Sequence, residues 1–153
     1  MKLKLEDWTS LASLGLSAMF VALLLSFYIF LIGPGGQGPE RVIEPGSLLI
    51  QIIFISAAPS LALAGSAFAM VKSYGSPVAG MFLIATGIIL IAGMSIGVTM
   101  VPRIQSQYIV GAVAVTPYIF LGAGAGVVGI GGYMFAVSQK RRHIHSRDLD
   151  DLR

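Results

Sequence analysis

The chain has 153 residues, of which 56% are hydrophobic and only 11% charged. A water-soluble domain carries about 25% charged residues, so this composition leaves too little polar surface for a soluble fold. The absence of cysteine excludes disulfides, thiolate catalysis and cysteine-ligated zinc or iron–sulfur centres, and the net charge of +3 sits beside apolar stretches, which is no nucleic-acid signal.

No Asp, Glu, Lys or Arg occurs within 8–39, 45–71, 73–102 or 104–139. A lipid core demands such gaps, because a charge at the bilayer centre costs about 3 kcal/mol even on the mildest scale. The sequence therefore predicts an all-α integral membrane four-helix bundle over residues 1–138, followed by a charged tail at 139–153. The first span is predicted at about 9–32. As a helix it reaches about 36 Å, enough for a hydrocarbon core of about 30 Å. Its length and the flanking Glu6 and Asp7 argue against a cleaved leader. Trp8 and Tyr28 stand near its two ends, where an interfacial belt places aromatics. Gly33-Pro34 stops the helix.

The stretch from Gly33 to Gly46 is too rich in Gly and Pro for regular helix and reads as a loop. The second span is predicted at about 47–71, with Ser47 as a candidate cap. Pro59 near its middle predicts a kink, with Ser56 or a neighbouring helix satisfying the freed carbonyl. The third span, about 77–101, opens on Ser76-Pro77, a cap followed by proline at the first helical position. Thr116-Pro117 repeats that pattern and sets the fourth span at about 117–138. This leaves 102–116 as an outer segment whose apolar run, Tyr108 to Val115, must bury itself somewhere. One long helix kinked at Pro117 is the alternative.

Eight of the ten Lys and Arg residues lie on one side: Lys2, Lys4, Lys72, Lys140, Arg141, Arg142, Arg147 and Arg153. Arg41 and Arg103 lie on the other. Cytoplasmic flanks retain positive charge, so both termini are expected in the cytoplasm of a multi-pass cell-membrane protein. Trp8, Lys140, Arg141 and Arg142 are the expected interfacial residues, the basic ones meeting anionic headgroups.

The candidate functional residues are small ones. Gly93 and Gly97, Gly122 and Gly126, and Ala58, Ala62 and Ser66 fit small-xxx-small spacing, which lets helix backbones approach closely in lipid. The expected partners are other membrane protein subunits and the lipid bilayer, with no nucleic acid. The run Gly122-Ala123-Gly124-Ala125-Gly126 resembles the glycine-rich helix of rotary ATPase proteolipid subunits. That family carries its ion on a carboxylate in a partner span, and no predicted span here holds one.

Catalytic and metal patterns fail. Histidine occurs only at His143 and His145, in the polar tail. There is no Ser/His/Asp set, helical His-Glu-x-x-His or phosphate loop. The methionines are scattered and form no copper ladder. Gln51 is the one amide inside a span, and a lone amide is weak support for a permeation path. No cofactor is expected. The best functional expectation is a non-catalytic structural or accessory subunit, with a small homo-oligomeric channel or carrier as the alternative.

Four spans, the junction Phe30-Leu31-Ile32-Gly33-Pro34-Gly35-Gly36-Gln37 and the short charged tail resemble small membrane proteins of ammonia-oxidising archaea. Some of these are accessory subunits of the archaeal ammonia monooxygenase, a copper membrane enzyme. The resemblance implies a chain without copper ligands that braces or seals the catalytic subunits.

Overall fold

The computed structural model describes residues 4–40, 43–70 and 76–150, with 140–150 as backbone alone. The described residues are predominantly helical and include no strand. The helices are α1 (Leu5–Ile32), α2 (Pro45–Met70), α3 (Pro77–Met100) and α4 (Gly111–Asp150). Among the described residues, four helical stretches are long and apolar enough to cross a membrane: Leu5–Ile32, Pro45–Met70, Pro77–Arg103 and Gly111–Gln139.

Successive helices run antiparallel. Ser13 of α1 meets Ser60 of α2, and Gly80 and Gly87 of α3 meet Gly131 and Gly124 of α4 in reversed order. The start of α1 and the later turns of α4 therefore share one end of the bundle. The opposite end carries the Gly33–Glu44 loop and the α3–α4 connection. Helix α3 is central and packs on both α1 and α4.

Each start has a local cause. Asp7 accepts a hydrogen bond from the Lys4 backbone N–H at 2.9 Å, so α1 begins before its apolar stretch and includes Glu6 and Asp7. Helix α2 starts at Pro45, two residues ahead of Ser47, whose hydroxyl donates to the Glu44 carbonyl at 3.1 Å. Ser76 caps α3, accepting from the Val78 N–H at 3.3 Å, and Pro77 takes the first turn where no donor is needed. Just before Pro59, α2 widens into a π turn over Ile53–Ala57, and Ser56 donates to the Ile52 carbonyl at 2.8 Å.

Helix α4 differs from expectation at both ends. It begins at Gly111, so Pro117 lies in its second turn. Proline there leaves the Val113 carbonyl without its helical donor. The buried Tyr28 hydroxyl supplies one from α1, at 2.8 Å. Thr116 is no cap; its hydroxyl donates back to the Ala112 carbonyl at 2.6 Å. Beyond Gln139 the backbone continues as helix to Asp150, through the stretch expected as a tail.

The interior divides by side-chain size. Towards the loop end it is aromatic and branched: Phe20, Leu24, Tyr28, Leu31, Met94, Val113 and Phe120, with the Phe20 and Phe120 rings 4.5 Å apart. Towards the terminal end it is thinner, built on Ala64, Ala67, Ala79, Leu83, Val127 and Met134. The outer segment lies across the aromatic half: Ile104 is buried, and Tyr108 and Ile109 pack against that core.

Candidate functional site

The small residues fall into two sets with different surroundings. Gly93 and Gly97 face inward. A Cβ on Gly93 would collide with the Val21 side chain of α1, and one on Gly97 would sit 3.6 Å from the Tyr28 ring and 3.7 Å from Pro117. Gly93 is already occupied by close approach within the chain, and at Gly97 a methyl would meet its neighbours at ordinary contact distance. Gly122 and Gly126 face outward, and nothing lies within 4 Å of a Cβ built on either. Ala58 and Ala62 are exposed on α2; Ser66 is half-buried and donates to the Leu63 carbonyl at 2.9 Å.

The exposed residues align. Phe68 of α2 and Tyr133 of α4 meet edge-on with ring centroids 6.2 Å apart, which fixes the two helices in register. Residues three, four, seven and eleven apart share one face of a helix. Gly129, Gly126 and Gly122 therefore lie on the Tyr133 face of α4, and Gly65 on the Phe68 face of α2. All four are exposed. The result is a set of exposed glycines on two neighbouring helices, beside an aromatic pair.

The tightest helix crossing uses glycines that four-residue spacing does not reveal. Gly80 and Gly87 of α3 meet Gly131 and Gly124 of α4. A Cβ on Gly131 would lie 2.7 Å from the Ile84 backbone nitrogen, and one on Gly87 would lie 2.6 Å from the Gly124 carbonyl oxygen. The sequence signal is a spacing of seven in each helix, which keeps both glycines on one seam.

Polar groups inside the bundle are matched to each other. The Ser13 hydroxyl donates to the Ser60 carbonyl and the Ser60 hydroxyl to the Ser13 carbonyl, each at 2.9 Å. The Ser17 and Ser60 hydroxyls stand 2.6 Å apart. The gap beside them, lined by Ser17, Phe20, Ser60, Leu90 and Phe120, is too narrow for a water-sized sphere. Gln51 is exposed on α2, away from this cluster.

At the terminal end Glu6 and Asp7 are 1% and 3% exposed. The Glu6 carboxylate lies against the Ser76 backbone amide at the start of α3, but neither of its oxygens has a hydrogen bond of good geometry, nor has Asp7 Oδ1. A helix N-terminus favours a nearby anion, so Glu6 links the start of α1 to the start of α3. Trp8 is 57% exposed one turn in. The side chains of Lys140, Arg141, Arg142, His143 and His145 lie outside the described residues. Compared with known protein families, curated proteins and solved structures, the chain matches none.

Proposed function

We propose that this chain is a non-catalytic structural subunit of a larger membrane protein complex, and that the outward small-residue surface of α2 and α4 receives transmembrane helices of partner subunits. The observation that carries this reading is the exposure of Gly65, Gly122, Gly126 and Gly129 with nothing within 4 Å of a Cβ at any of them. Glycine inside an exposed helix costs about 0.5–1 kcal/mol relative to alanine. Four such positions on neighbouring faces make sense when another backbone approaches there, since lipid tails gain nothing from a missing side chain. The self-satisfied serines and the narrow gap beside them support this reading over a channel through the bundle. No acid, base, nucleophile or metal constellation was found in the sequence to support chemistry of the chain's own. The excess of Lys and Arg on the side of the termini supports a cell-membrane protein with both ends in the cytoplasm. The resemblance at Phe30–Gln37 makes an archaeal ammonia monooxygenase-type complex the first assembly to test.

The test separates folding from assembly. Gly126→Leu points into open space and should leave the thermal stability of the isolated chain in mild detergent unchanged or slightly raised, through helix propensity. In native membranes the same substitution should remove the chain from its complex on a native gel. Val127 is 4% exposed in the core, so Val127→Leu is the folding control and should lower stability first. A wild-type chain that extracts only as a monomer, or as a conducting homo-oligomer, would reject the proposal.

A further inference from the structure

The last turn of α1 and the loop after it enclose an apolar cleft of 540 Å3, lined by Ile29 and Phe30 of the helix and by Pro34, Pro39, Glu40 and Ile43 of the loop. We propose that this cleft binds one acyl chain of a phospholipid whose headgroup carries a primary ammonium, with Glu40 meeting that ammonium at the membrane surface.

Three observations carry the assignment. First, the Gly33–Gly38 part of the wall is preformed. Gly38 donates its N–H to the Ile32 carbonyl at 3.0 Å and Gly36 to Gly33 at 3.3 Å, closing the loop back onto the helix end. Gly33 has φ +67°, and a Cβ there would collide with the Gly38 carbonyl, so glycine is what permits the closure. The Gln105 side chain donates to the Gly36 carbonyl at 3.4 Å and ties the loop to the α3–α4 connection. Second, the cleft is continuous with a surface of α1 that meets lipid: Ile29 is 59% and Phe30 47% exposed. Its volume lies in the range of small-ligand sites, about 300–1,000 Å3. An apolar cleft of this size on a lipid-facing surface suits a single hydrocarbon chain. Third, among the described residues Glu40 is the one ionisable residue lining it, and the loop sequence holds Glu40 and Glu44 against a single Arg41. The site is apolar at depth and acidic at its mouth, which selects an amphiphile with a cationic head.

The test uses the full chain in nanodiscs of equimolar phosphatidylethanolamine and phosphatidylglycerol, extracted into mild detergent, with retained lipid counted by native mass spectrometry. The wild type should keep one lipid per chain, with phosphatidylethanolamine favoured about threefold to fivefold. Glu40→Gln should bring that preference to parity while a lipid is still retained. Ile43→Trp, which fills the cleft, should abolish retention. Unselective retention by the wild type, or a preference that survives Glu40→Gln, overturns the headgroup assignment. Retention unchanged by Ile43→Trp in a chain of wild-type thermal stability overturns the cleft itself. Failure here leaves the subunit proposal standing, since the two surfaces lie on different parts of the bundle.

Discussion

Proline 117 removes a hydrogen-bond donor from the second turn of α4, and the acceptor it orphans is met by a hydroxyl from a residue 85 positions from that acceptor. The pairing can be tested as a cycle. Tyr28→Phe keeps the ring but leaves the buried Val113 carbonyl without this partner, and should cost about 1–2 kcal/mol in thermal or denaturant unfolding. Pro117→Ala restores the backbone N–H. In that background Tyr28→Phe should cost much less, giving a clear interaction term. Equal costs in both backgrounds would show that the hydroxyl serves some other acceptor. This residue also marks a limit of sequence reading. Thr116-Pro117 has the form of a cap and a first-turn proline, as Ser76-Pro77 does, and only Ser76-Pro77 behaves that way. The difference lies in Tyr28, and nothing local to Pro117 announces it.

At the level of helices, contact is decided by where a side chain is missing. The seam of α3 against α4 rests on Gly80, Gly87, Gly124 and Gly131, where backbones come too close for a Cβ. Gly87→Ala and Gly131→Ala should each destabilise the isolated chain by about 1–3 kcal/mol through forced separation of the helices. Gly126→Ala, pointing into open space, should stabilise it by up to about 1 kcal/mol through helix propensity. Denaturant midpoints for the three variants check both signs. The four spans were legible in the sequence because charge-free length alone reports them. Their faces were not, because lipid and protein interior are equally apolar, so hydrophobic periodicity fades where a water-soluble helix would show it. Small-residue spacing was the remaining signal, and it is ambiguous. Gly93 and Gly97 turn inward while Gly122 and Gly126 turn outward, at the same four-residue spacing. The reciprocal serines of α1 and α2 were missed for a related reason: a lone serine in a span usually bonds its own helix, as Thr86 does to the Phe82 carbonyl at 2.9 Å.

For the molecule as a whole, the antiparallel order of the helices places the start of α1 and the later turns of α4 at one end, and the cytoplasmic side proposed for that end rests on the charge count of the sequence. By sequence, eight of the ten Lys and Arg residues fall in the flanks assigned to that side, and moving positive charge across a membrane is what insertion avoids. The chain has no cysteine, so a single introduced thiol reports one position without background. Ser106, exposed in the α3–α4 connection, and Gln139, exposed at the last described turn of the fourth span, stand at opposite ends. In intact cells a membrane-impermeant maleimide should label Ser106→Cys and leave Gln139→Cys unmodified until the membrane is opened. The reverse pattern would place the termini outside and cost the charge argument its premise. Labelling of both in intact cells would mean mixed insertion, which a bias of eight against two should prevent. With the expected pattern, the Glu40 cleft opens on the outer leaflet and the helix beyond Gln139 enters the cytoplasm. Partner helices would then reach the α2 and α4 surface within the bilayer, between those two ends.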